Sequence, residues 1–118
     1  MIKSASLEAI TQLDKMLKNN GLLLDVKCTS LSKNQPASIS YLGGMSHPNF
    51  VSGEKDRAIK IFKQDMERET IIRGFSLFKG NYPYTKNIIL IKAFETDDFN
   101  LLVEEIKNAL SVMELESI

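Results

Sequence analysis

His47 and Cys28 are the side chains of this sequence best suited to nucleophilic or proton-transfer chemistry, and each is the only one of its type. An imidazole titrates near neutrality and can act as a general base or metal ligand, while a thiolate beside it can attack an electrophilic carbon. A zinc site needs three or four ligands, so two such donors exclude a structural zinc in a monomer. Cys28 also falls on the apolar side of an alternating segment, where a thiol packs as a small hydrophobe. No cofactor and no catalytic set are expected, and an enzyme ranks last among the functional classes.

Two further patterns bear on chemistry. Asp25-Val-Lys27, with Glu8 upstream, resembles the acid-x-Lys strand of metal-dependent nucleases, in which two acids hold a hard cation and the lysine steadies the attacking water. The second acid on a neighbouring strand is missing, and alternating charge on the solvent side of a strand accounts for both residues. Asp97 and Asp98 read as helix-start residues, favoured by the positive end of the helix dipole, not as paired catalytic acids.

The irregular stretch 43–53 is the best local candidate for ligand binding, through Gly43, Gly44, Ser46, His47, Ser52 and Gly53. It leads into a helix amino terminus, where unpaired amide hydrogens and the dipole favour an anion. It lacks the Gly-Lys-Ser/Thr ending of a phosphate-binding loop. The plainer reading is that Gly43 and Gly44 end a strand, Pro48 stiffens the connection, and Phe50 and Val51 staple the next helix.

A second turn, 79–86, carries Tyr82 and Tyr84, with Arg73 on the segment before it. Such rings and cations suit a single-stranded nucleic acid, or a protein partner that exploits the large contact area of tyrosine. Fifteen Lys and Arg balance fifteen Asp and Glu, so no global field draws in nucleic acid. The basic residues of 54–69 interleave with acids instead of forming a stripe. A protein partner or a second copy of the chain is expected, and nucleic acid is not.

A chain of 118 residues with 43% apolar and 25% charged content suits one globular domain. One cysteine rules out an internal disulfide and favours a reducing compartment, so the cytoplasm is expected. The first residues lack the apolar core of a secretory signal, and no run is long enough to cross a bilayer.

Leu7, Ile10, Leu13 and Leu17 recur at helical spacing, capped by Ser4 or Ser6 and stopped by Gly21 after Asn20. Residues 22–28 alternate as a half-buried strand, and 37–42 read as its hairpin partner. A helix is expected from Ser52 or Gly53 to Glu67, with Ala58, Ile59, Phe62 and Met66 inward and Lys55, Lys60, Lys63 and Asp65 mostly outward. Strands follow at 71–78 and 87–94. The aliphatic residues 88–91 suggest that the latter lies at the centre of the sheet, covered on both faces. The last helix begins near Thr96 or Asp97, with Phe99, Leu102, Val103, Ile106, Leu110 and Met113 on one narrow face.

The expected fold is therefore α+β, an α-ββ-α-ββ-α two-layer sandwich with helices on one side of a four-stranded, mainly antiparallel sheet. Its other side is partly open. In broad outline this layout is similar to that of small dimeric chaperones of bacterial secretion systems, a similarity of layout that no residue motif carries.

Leu101, Ala109 and Val112 lie off the core stripe of the last helix, while Phe78, Ile89 and Ile91 face away from the helices if the other strand face packs inward. The leading expectation is a non-catalytic interaction or regulatory module, chaperone- or adaptor-like, that self-associates through the sheet face or the last helix. Tyr82, Tyr84, Ile89 and Ile91 are its candidate contacts. A small-ligand or anion-binding module centred on 43–53 is the second expectation, and a small hydrolase or nuclease-like enzyme the third. His47→Ala separates them: titration calorimetry should show partner binding unchanged if the chain is an interaction module, and ligand binding lost if 43–53 forms a pocket.

Overall fold

The computed structural model describes residues 6–30, 38–43, 54–68, 70–79 and 89–116. They form helix α1 (Leu7–Asn19), strands β1 (Leu22–Ser30) and β2 (Ser38–Gly43), helix α2 (Glu54–Glu67), strands β3 (Thr70–Lys79) and β4 (Ile89–Glu95), and helix α3 (Phe99–Glu116). This is the expected α+β order. All neighbouring strands pair antiparallel in one sheet ordered β2-β1-β3-β4.

Local chemistry sets the helix ends. The Ser6 hydroxyl accepts the Ala9 amide hydrogen at 3.1 Å and caps α1, and Gly21 closes it with φ of 66°. Ile10, Leu13 and Leu17 are buried, each worth about 1.5–3 kcal/mol on the area scale, whereas Leu7 in the first turn is exposed. At α3 the Asp98 carboxylate accepts the Asn100 amide hydrogen at 2.8 Å, so the helix starts at Phe99, just beyond the expected Thr96 or Asp97. Asp97 is diverted to a salt bridge with Arg73.

Strand alternation decides which side is covered. Leu22, Leu24, Val26 and Cys28 of β1 are buried together with Leu42 of β2 and Phe75 and Leu77 of β3. Onto this side pack α1, through Ile10, Leu13 and Leu17; α2, through Ile59, Phe62 and Met66; and α3, through Phe99, Leu102 and Ile106. Among the described residues the opposite side carries no helix. It presents Tyr41, Leu23, Asp25, Lys27, Ser76 and Phe78, so the two-layer sandwich has one open face.

Two expectations are corrected. Among the described residues β4 is an edge strand, not the centre, because β1 and β3 pair with each other and leave β4 one neighbour there. Aliphatic composition cannot distinguish a strand buried between neighbours from one whose side chains serve another surface. Asp65, placed outward by its neighbours' charge, is buried at the last turn of α2.

The end of β2 is fastened by a long-range contact. The Gly43 amide donates to Asp14 Oδ1 at 2.7 Å, both groups being buried, which ties α1 to the edge strand β2. Gly43 has φ of 80°, and a Cβ there would lie 2.5 Å from the Leu22 carbonyl oxygen and 2.7 Å from Leu17 Cβ. At Gly21, also left-handed, a Cβ would meet nothing. Gly21→Ala should therefore cost only the left-handed conformation, about 1–2 kcal/mol. Gly43→Ala should cost more, roughly 2–5 kcal/mol once the steric overlap is added. Urea denaturation of the two variants checks the difference.

Candidate functional site

The bulge in β4 controls what the chain shows at its free edge. Phe75 pairs with Phe94 and Leu77 with Lys92, but Phe78 then pairs with Leu90, leaving Ile91 as the extra residue. The slip reverses the phase of the strand: Ile91 packs against the core, and Leu90 joins Phe78 on the open face. The expectation that Ile91 faces away from the helices is thus corrected, since strict alternation does not hold across a bulge. Ile89 and Leu90 remain 65% and 54% exposed.

Beside this edge runs α3. Its outermost positions Asn100, Glu104, Lys107 and Ser111 are polar and exposed, as expected of a solvent face. The flank turned toward β4 carries Leu101 and Val112, 50% and 53% exposed. A shallow groove of about 340 Å³ between the two elements is lined by Leu90, Ile91, Lys92, Asn108, Ala109, Val112 and Met113. Lys92 pairs with Glu105 across the gap, pinning α3 to the edge strand by a partly exposed contact. The result is an apolar strip with one charge pair, open to solvent.

A second cluster lies at the far corner, where α2 ends and α3 begins. Arg73, only 5% exposed, sits on the covered side of β3. Its Nη1 donates to Asp97 Oδ1 at 3.0 Å, and its Nη2 donates to the Arg68 carbonyl at the end of α2, the negative end of that helix dipole. Arg68 in turn lies 3.7 Å from Asp65 Oδ1. Arg73 is therefore structural, and it is not the exposed cation that a nucleic-acid contact would use. Oδ2 of Asp65, Nε of Arg73 and Oγ1 of Thr70 have no hydrogen-bond partner in this corner.

The remaining sequence candidates separate. Cys28 is buried, with its thiol 3.7 Å from the Asp65 carbonyl oxygen. Asp25 and Lys27 lie on the open face, whereas Glu8 is on α1 in the opposite layer, so the three do not converge on a cation. Among the described residues no cluster of three or more His, Cys, Asp or Glu could hold a metal. Gly43 spends its amide hydrogen on Asp14. Gly44, Ser46, His47, Ser52 and Gly53 lie outside the described residues, as do Tyr82 and Tyr84.

The chain matches no known family model, no curated protein and no solved structure. Among the described residues no helix is long and apolar enough to cross a membrane.

The exposure of Leu101 and Val112 follows their departure from the core stripe, whereas Ile89, expected beside Phe78, pairs with Lys79 in the opposite phase. Sequence reasoning missed Leu90 and misplaced Ile91, because nothing local announces the bulge. It also missed Asp14 and the burial of Asp65, whose partners are distant or backbone groups.

On the open face, Asp25 is half-buried, and desolvation raises its carboxyl above the usual value of 3.8. Folding then favours the protonated form, so the charged carboxylate destabilises the protein above the raised pKa, and this penalty fades as pH falls toward 3.8. Asp25→Asn should be more stable than wild type at neutral pH. That advantage should shrink on acidification through the raised pKa and vanish below the ordinary value. Paired urea denaturation curves at neutral and acidic pH test the sign.

Proposed function

We propose that the chain is a non-catalytic interaction protein that binds polypeptide, in the first instance a second copy of itself, through the side where β4 meets α3. The observation that carries this is the open groove between β4 and α3, lined by Leu90, Ile91, Ala109, Val112 and Met113, of which Leu90 and Val112 are more than half exposed. Apolar residues scattered singly over a surface need no explanation, but a contiguous strip marks a contact. The strip also accounts for the aliphatic run of β4, which the sheet itself does not bury.

The same surface supports the adaptor or chaperone reading, in which the bound polypeptide is a client. A single cysteine, buried and outside any disulfide, suits a reducing cytoplasmic setting. The enzymatic reading drew on His47, which lies outside the described residues, and on Cys28, which is buried.

Analytical ultracentrifugation across a concentration series tests the proposal. Wild type should exceed the 13.3 kDa monomer mass, and the double variant Ile89→Lys/Leu90→Lys should weaken self-association by about tenfold or more, the effect of losing roughly 1.4 kcal/mol. Both positions are exposed, so the fold should survive. A wild-type chain that stays monomeric at its highest soluble concentration would remove self-association as the function of this surface.

A further inference from the structure

We infer that the second half of α3, residues 107–116, is a hinged flap that opens as a unit and thereby assembles and dismantles the groove, an inference that rests on the reading of that groove as the binding surface. The distribution of burial along the helix carries it. Phe99, Leu102 and Ile106 are buried, and none of residues 107–113 is. By contrast, α1 keeps a buried residue as late as Leu17 and α2 as late as Met66, each in the last turn of its helix, so α3 alone loses its hold on the core half-way along.

The polar anchors stop at the same place. Asp97 meets Arg73 just before the helix and Glu105 meets Lys92 within it, whereas among the described residues no salt bridge or hydrogen bond joins 107–113 to another element. The Ser111 hydroxyl donates to the Lys107 carbonyl at 3.1 Å, a second claim on the oxygen that closes the first turn of this half, and such back-bonding loosens and bends helices. Beneath lies the groove of about 340 Å³, with Asn108, Ala109, Val112 and Met113 as one wall and Leu90, Ile91 and Lys92 as the other.

A segment with few buried contacts opens at a lower free energy than the core. Isolated helices below roughly 12–15 residues are marginal in water, so an undocked 107–116 unwinds and its amide hydrogens report the opening. The groove exists only while the flap is docked, because the flap supplies one of its walls. A polypeptide seated there binds the closed state and holds the flap down.

Hydrogen–deuterium exchange on protein dilute enough to sediment as monomer tests the flap. Amides 111–116 should exchange about tenfold or more faster than amides 103–106. Met113→Ala removes a half-buried contact of the flap and should speed 111–116 by roughly a further tenfold while 103–106 keep their rates, whereas Leu102→Ala should speed both stretches. Equal rates in the two stretches of wild type, or a Met113→Ala effect that spreads equally to 103–106, would mean that α3 opens as one body and would overturn the flap. In protein concentrated until it self-associates, 111–116 should slow and 103–106 should not; unchanged rates in 111–116 overturn the coupling of flap to groove. A chain that stays monomeric at every concentration removes self-association instead, and the exchange pattern of the dilute protein still decides the flap.

Discussion

The antiparallel pairing of β1 with β3 joins segments separated in the chain by β2 and α2, and it places Leu24 beside Leu77, Val26 beside Phe75 and Cys28 beside Arg73. Because side chains alternate with a period of two, this register alone decides that Leu22, Leu24 and Val26 meet the helices while Asp25 and Lys27 meet water. A slip of one residue would reverse every one of them. β2 and β4 can only add to the outside of this pair, and the three helices pack on the side it makes apolar. The edge position of β4, and with it the exposed strip, is a consequence of what occupies the middle.

Two polar contacts, one buried and one partly buried, fasten elements that apolar packing alone would not orient. Asp14 holds the Gly43 amide and so fixes the end of β2 against α1. Arg73 joins the carboxyl-terminal end of α2 to the segment leading into α3 through Asp97, which is 62% exposed on its side chain. Burying a guanidinium is costly unless its hydrogens are received, and here a carboxylate and a carbonyl receive hydrogens of Nη1 and Nη2, while Nε has no partner among the described residues. The stacked rings of Phe75 and Phe94, 5.5 Å between centroids, then tie β4 to β3 just above this corner.

Much of the architecture was legible in the residues. The helical stripes of α1 and α3, the alternation of β1 and the glycine after α1 depend on neighbours a few residues away, and periodicity reports such neighbours directly. Sheet order does not have that property: the aliphatic run at 88–91 is equally consistent with a central strand and with an edge strand that lends its side chains to another surface. The bulge at Ile91 is set by how β4 meets β3, and the burial of Asp14, Asp65 and Arg73 by contacts far along the chain. At the candidate site, Leu101 and Val112 were visible as residues that the core stripe of α3 leaves over. The meeting of Val112 with Leu90 at one groove was not visible, because it requires knowing that β4 lies on the edge beside that helix.

Cys28 has a consequence of its own. It is the chain's sole thiol, 1% exposed, on a central strand and remote from the flank of α3. A thiol-specific reagent can reach it only when β1 parts from the helices that cover it, so the rate of its labelling follows opening of the core and not fraying of the edge. Nature has left in this fold a silent reporter atom, one that would distinguish loss of the globule from mere separation of two copies.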